Sequence, residues 1–528
     1  MSKESVATQE TLWQKIAKVI YTIVPIQKYE WKKFLPMSLL MFCILFIYTT
    51  LRSLKDTLVA REAVCGATEC LSFMKLLVPF AAIIFMFVFN LLCNKFDTKK
   101  IFYIIIVSFV TFYVCFLLVI YPNANRLHMS ESTIIGLQNS IPALKWLWPI
   151  IGNWTFSLFY IMADLWNYVV YQLLFWQFAN QITKLSEAKR FYALFGLIGN
   201  TSPIVGGFLF FFLSQHLLQG TKAFYPSLRL QITEVAVASI VLLIIYTWIH
   251  RKVLVDPKLY SPKLSAKNNP KKKVKMSIGE SLKYIFTSKY LLLIAVLIIG
   301  YGTSFNLIEC VWKKQVELMF PASGQFNRML ILKDTLTGIC TVTVTLLLNS
   351  LLRKCKWRTC ALITPVIFLA FGSVLIGTTM YVKHSGPNAV AFGINILSIS
   401  VFLGLGLIAA SKGLKYSMFD STKNMAYIPL DPEIKVRGQA AVESVGGSFG
   451  KAGSALIQQM LLAFAGAGSS IIGLIGIIGP IAIFVIIAWI CAVFGLSKKY
   501  ERLLAQRERE DAELELAKKE VKEEVMTK

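Results

Sequence analysis

Apolar residues recur in long runs from Phe34 to Leu496, separated by short polar connections. A helix needs about 20 apolar residues to cross the hydrocarbon layer, so the pattern predicts an all-α polytopic membrane protein with twelve transmembrane helices. The expected spans are 34–54, 71–93, 101–121, 147–181, 190–217 and 229–250, then 287–316, 325–352, 359–382, 388–419, 436–465 and 471–496. Between the two sets lies a polar, basic stretch with three prolines, from about Val253 to Met276. Six spans on each side of such a linker predict a major-facilitator-like 6+6 arrangement of pseudo-symmetric halves. The expected division is an N-terminal segment 1–33, a first half 34–252, a linker 253–286, a second half 287–496 and a charged helical tail 497–528. Within the linker region, Ser277 to Tyr290 is more amphipathic and suits the membrane interface.

A faint internal repeat agrees with two halves. Glu187-Ala-Lys189 opens the fifth span and Glu433-Ile-Lys435 the eleventh, and Gly206-Gly207 falls at the same offset as Ala452-Gly453. Both spans are rich in small residues: Gly196, Gly199, Gly206 and Gly207 in one, Gly446, Gly447, Gly450, Gly453 and Ser454 in the other. Small residues let helix backbones approach closely, so these two helices are expected to cross where the halves meet.

Composition bears the membrane reading out: 56% of the 528 residues are hydrophobic. The net charge of +26 is informative through its placement. Basic clusters occupy alternate connections, at Lys95, Lys99 and Lys100, at Lys184, Lys189 and Arg190, from Arg251 through Lys275, at Arg353 through Arg358, and at Lys435 and Arg437. Positive residues mark the cytoplasmic side, which puts both termini in the cytoplasm. Residues that flank spans do not form a nucleic-acid groove, so no nucleic-acid partner is expected, whereas anionic membrane lipids suit these clusters. Cys65 and Cys70 share one non-cytoplasmic connection and are close enough in sequence to form a disulfide. The four histidines are scattered and give no metal pattern, and no cofactor is expected.

Charges inside the spans carry the functional signal, because a charge at bilayer depth normally faces a cavity, a partner or a solute. Arg52 and Lys55, three residues apart, share a face at the end of the first helix and offer a fork and a point charge to phosphate oxygens. Asp164 shares a face with Tyr160 and Asn167 and needs a cation from another helix, with Lys55 a candidate. Glu309 has Asn306 and Lys313 on its side, and Lys313 is close enough in sequence to neutralise it. Lys333-Asp334 form a self-compensating pair in the eighth span, Lys412 and Lys415 share a face of the tenth, and Glu443 in the eleventh needs a partner. Lys451 follows Gly446-Gly-Ser-Phe-Gly450, but the spacing and Ala452 fail the phosphate-loop pattern. It remains a candidate phosphate contact. No catalytic constellation is present.

Four blocks resemble the non-mitochondrial ATP/ADP translocases of plastids and obligate intracellular bacteria, most of all the chlamydial members. They are Leu51-Arg-Ser-Leu-Lys-Asp-Thr-Leu58, Leu174-Phe-Trp-Gln-Phe-Ala-Asn-Gln-Ile-Thr183, Glu187-Ala-Lys-Arg-Phe-Tyr192, and Lys415-Tyr-Ser-Met-Phe-Asp420 running on through Met425-Ala-Tyr-Ile-Pro-Leu430. The resemblance implies exchange of external ATP for internal ADP across a cell (inner) membrane. It also implies four functional charges: Lys55 matches the first lysine, Glu309 the second acid and Lys451 the late lysine. Asp164 falls where plastid members carry glutamate, and Gln439 stands where relatives often carry lysine.

The expectation is an ATP/ADP antiporter, not an enzyme, working by alternating access. Arg52, Lys55 and Lys451 would hold phosphate, while Asp164 and Glu309 would balance those cations or contact ribose and base. Phosphate as a further solute stays open. The alternatives are a proton-coupled nucleotide symporter using Asp164 or Glu309, and a membrane enzyme acting on phosphate esters.

Overall fold

The structure is a computed structural model that describes residues 26–217, 223–257, 259–260, 288–391, 393–430, 438–439, 442–443, 446, 449–466 and 469–527. Eleven helices among the described residues are long and apolar enough to cross a membrane. They are α1 Trp31–Glu62, α2 Cys70–Lys95, α3 Thr98–Leu127, α4 Trp154–Ile182, α5 Arg190–His216, α6 Tyr225–Val253, α7 Lys289–Met319, α8 Ser323–Leu347, α9 Trp357–Ser385, α10 Ile396–Ala426 and α12, whose span is Ile475–Gln506. Between the last two lies α11, Ser454–Phe464. It lies within the expected span 436–465, of which only parts are described. Most of the linker 253–286, including the amphipathic stretch, lies outside the described residues, as do Glu433 and Lys435 of the repeat. The charged tail continues α12 as one helix to Thr527.

Among the described residues the protein is all-α apart from a two-residue antiparallel pairing, Val390–Ala391 with Ile394–Asn395, in the turn between α9 and α10. Gly393 makes that turn with φ +77°, a left-handed conformation that costs glycine nothing.

Helix packing repeats with an offset of six. In the first half α1 packs against α4, α5 and α6, and α2 against α4; in the second α7 packs against α10, α11 and α12, and α8 against α10. Across the divide α5 meets α8, and α11 meets α2, which are equivalent pairs under the same offset. These are two pseudo-symmetric six-helix halves. One apolar cluster of the first half runs from Ile26 to Leu259, and a second, centred on α7, α9, α10 and α12, also takes in Val59, Cys70, Met74 and Tyr160 of the first half. Large apolar side chains such as Phe80, Phe87, Phe212 and Ile244 stay exposed on the outer faces, as lipid contact requires.

The small residues do two different jobs, which the sequence did not separate. Gly207 of α5 lies against Thr335 of α8, so this close approach does join the halves. Gly450 instead lies against Gly302 of α7, within its own half, and so does Gly446 against Ile298. The inter-half contact of α11 is made by polar residues further along, where Ser72 of α2 hydrogen-bonds to Gln458.

Candidate functional site

Where α1, α2, α4, α7, α8 and α10 converge, ten charged side chains join in one connected network. α1 supplies Arg52, Lys55 and Asp56, which share a side because residues three and four apart lie one turn from each other. Arg52 spans to two acids of the other half, 3.3 Å from Glu309 and 3.4 Å from Asp334. Lys55 Nζ lies 3.2 Å from Asp56 and 3.4 Å from Asp164 of α4. Asp56 in turn reaches Lys313 of α7 at 2.8 Å. Glu309 is the hub: besides Arg52 it has Lys75, Lys313, Lys333 and Lys412 each at 3.8 Å. Lys333 closes the circuit on Asp334 at 3.3 Å.

Among the described residues the network holds six cations, Arg52, Lys55, Lys75, Lys313, Lys333 and Lys412, against four carboxylates, Asp56, Asp164, Glu309 and Asp334. Lys333 is 1% exposed and Lys412 6%. Burying a charge costs several kcal/mol per ion unless it is paired, so an excess of buried cations calls for an anion. Two atoms have unspent hydrogen-bonding capacity: Lys412 Nζ and Asp334 Oδ2 are buried and have no hydrogen-bond partner in the protein. The Lys412 ammonium sits 5.2 Å from the centre of the Phe305 ring, and the Lys55 ammonium 3.5 Å from that of Tyr160, both within cation–π range. Asn306 accepts a hydrogen bond from Lys75 at 3.0 Å.

The structure sorts the remaining candidates. Asn167 is buried in a π-helical stretch of α4, Trp166–Phe175, that begins just after Asp164. Lys412 and Lys415 do not act together as their spacing suggested. A π-helical turn starts at Lys415 and widens the helix there, and Lys415 pairs with Asp420 at 3.0 Å, outside the network. Glu443 finds its partner in Lys423 at 2.7 Å, away from the hub. Lys451 lies in a third π-helical turn, Phe449–Gly453, with its ammonium 6.0 Å from the Tyr168 ring of the opposite half. Its side chain is exposed. Cys65 and Cys70 are both free thiols, Cys70 being buried, so the disulfide their spacing allows is not formed.

Sequence reasoning missed Lys75 and Asp56 altogether, and took Lys313 and Asp334 only as local neutralisers. The available signal was position: Lys75 stands inside the second apolar run, and Asp56 adjoins Lys55.

One end of the bundle, at the α1–α2 connection, is tied shut. Lys314 bridges Glu69 at 3.0 Å and Glu317 at 2.9 Å, and Arg61 lies 3.5 Å from Glu317. Thr68 donates to Glu317 through both its amide, at 2.9 Å, and its hydroxyl, at 2.6 Å. Glu69 also accepts from the Ile471 amide at 3.1 Å. These bonds join the first half to the second directly beyond the charged network.

The TLC ATP/ADP transporter family model matches residues 8–500 of this chain. The chain belongs to the TLC ATP/ADP transporter family. Relatives within reach of this family assignment span nearly the whole molecule. ADP,ATP carrier protein 1 of Rickettsia prowazekii is 38% identical over 96% of this chain and all of its own length. ADP,ATP carrier protein 1 of Chlamydia pneumoniae is also 38% identical, over 96% of this chain and 98% of its own. A solved bacterial homologue of the iron transporter ferroportin, in an inward-facing state, aligns with 90% of this chain and 99% of its own at 12% identity and a TM-score of 0.47. As a TLC ATP/ADP transporter family member, the protein is a multi-pass membrane transporter and not an enzyme.

Proposed function

We propose that this protein imports ATP in exchange for ADP by alternating access, with the charged network as its phosphate cradle. The observation that carries the reading is the excess of buried cations on a network built by both halves. Arg52, Lys55, Lys333 and Lys412 take phosphate oxygens, and Lys451, exposed opposite Tyr168, meets the nucleotide on its way in or out. Asp164 and Glu309 hold the cations in register when no nucleotide is bound. Strict exchange follows from the same electrostatics, because a nucleotide-free carrier must carry unneutralised cations through the transition between its two states. The moving bodies are the segments 34–252 and 287–496.

The protein sits in the cell (inner) membrane with both termini in the cytoplasm, as the basic connections favour. The end sealed by Lys314, Glu69 and Glu317 then faces outward, so this conformation is closed to the outside. Free phosphate suits the same cations as a minor solute, and anionic lipid headgroups suit the basic connections.

The test is uptake of labelled ATP by proteoliposomes with and without internal ADP. Uptake should require internal ADP and be lost in Lys55→Ala. Uptake driven by a proton gradient alone would favour symport, and unchanged uptake by Lys55→Ala would remove that residue from the cradle.

A further inference from the structure

A small cavity lies beside the cradle, between α1, α5, α6 and α8. Its volume is about 20 Å³, room for a single water-sized occupant. Thr49, Thr50, Ser53, Gln231, Glu234 and Asp334 line it. Glu234 is 8% exposed, and neither its Oε1 nor Asp334 Oδ2 has a hydrogen-bond partner in the protein.

The wall offers acceptors and almost no donors. The hydroxyl protons are already spent on carbonyls: Thr49 donates to Leu45 O and Thr50 to Phe46 O, each at 3.0 Å, and Ser53 to Thr50 O at 3.0 Å. Gln231 spends an amide proton on Ser53 at 3.0 Å, while its carbonyl accepts from Asn327 at 2.7 Å. What remains for the occupant is one Gln231 amide proton, oxygen lone pairs and two carboxyl groups. Of the other charges nearby, Arg52 and Lys333 engage Asp334 through its opposite oxygen, Oδ1, and Lys412 acts on it through space.

We infer that Glu234 and Asp334 form a binding site for one small monovalent cation, coupled to the phosphate cradle through Asp334. A membrane-embedded carboxylate without a cationic partner is strongly disfavoured, and a space this small suits a bare ion or a proton-bearing water. The two oxygens of Asp334 face different tasks, Oδ1 the cradle and Oδ2 the cavity. Filling one therefore changes the field at the other, and the cation offsets part of the charge that nucleotide exchange moves. This coupling rests on the exchange reading, whereas the binding site itself does not.

Two measurements separate those failures. In detergent, the unfolding temperature of the wild-type protein is followed in sodium chloride against choline chloride, and against pH in choline chloride alone. Sodium ions as occupant give a sodium-dependent upward shift that is lost in Glu234→Gln and weakened in Glu234→Asp. A proton as occupant gives no sodium shift but a pH-dependent one that disappears in Glu234→Gln. If Glu234→Gln responds to sodium and pH as the wild type does, the site is overturned. Should Glu234→Gln not fold, Glu234→Asp alone decides, an unaltered response overturning the site. In ADP-loaded proteoliposomes, Glu234→Gln should still exchange nucleotides but lose the cation dependence of the wild-type rate. Exchange whose cation dependence is the same in both proteins overturns the coupling. Absence of exchange in the wild type would instead count against the functional reading, with the binding result standing on its own.

Discussion

Glu309 lies within 3.8 Å of five cations contributed by five helices, and no single-helix argument would assign it that role. Removing its charge leaves a buried cationic cluster with less compensation, which nucleotide phosphates can replace. Glu309→Gln should therefore lower the unfolding temperature of the nucleotide-free protein, and added ADP should raise it by more than in the wild type. Equal nucleotide-induced shifts in the two proteins would contradict that role. At this scale the sequence exposed which residues are out of place in lipid, Arg52, Lys55, Asp164 and Glu309, because the cost of a charge in hydrocarbon depends only on its identity and depth. It could not show which charges meet. Lys412 and Lys415 look equivalent by spacing, yet the π-helical turn at Lys415 sends one to the hub and the other to Asp420.

Helix contacts set the next group of outcomes. A Cβ on Gly207 would lie 1.8 Å from Thr335 Oγ1, whereas one on Gly453 would meet nothing within 4 Å. Gly207→Ala should cost about 1–3 kcal/mol through overpacking and slow exchange, while Gly453→Ala stays near wild type in both thermal unfolding and transport. The first turn of α1 is tied to the segment just before α5 by Lys33 and Glu187, 2.7 Å apart and 1% and 3% exposed. Lys33→Met leaves Glu187 charged and buried, a loss of about 3–5 kcal/mol; chemical denaturation should show it, with Lys33→Met/Glu187→Leu recovering much of the stability. Just before α1, burial alone would raise the Glu30 carboxyl, but hydrogen bonds from Arg190 and the Gln27 amide, with the guanidinium charge, hold it below its usual value. A depressed carboxyl stabilises the fold above its unfolded value, and that contribution fades as pH falls through the carboxylate range. Arg190→Gln should flatten this acid-side slope of stability against pH.

For the whole molecule, the bonds between halves run from the charged network to the Glu69–Lys314 end, which makes that end the one that must open. Ser72 Oγ lies 3.8 Å from Cys310 Sγ across this seam. Ser72→Cys should therefore form an oxidant-dependent crosslink with the native Cys310, seen by fluorescent thiol labelling, and abolish exchange until reductant is added. Full exchange in the crosslinked protein would exclude opening at this end.

Sequence alone determined the membrane class, the approximate spans, the two halves and the family blocks. Each of these depends on local properties: run length, flanking charge and short motifs, which act without reference to distant residues. Tertiary structure decided the rest. Whether a glycine binds two halves together or two helices within one half, as Gly207 and Gly450 do, depends on what lies opposite. That Lys75, Asp56 and Lys313 belong to the same site as Arg52 and Lys55 depends on six helices converging. Charges interact over a few ångströms of space, and separation along the chain carries no record of that distance.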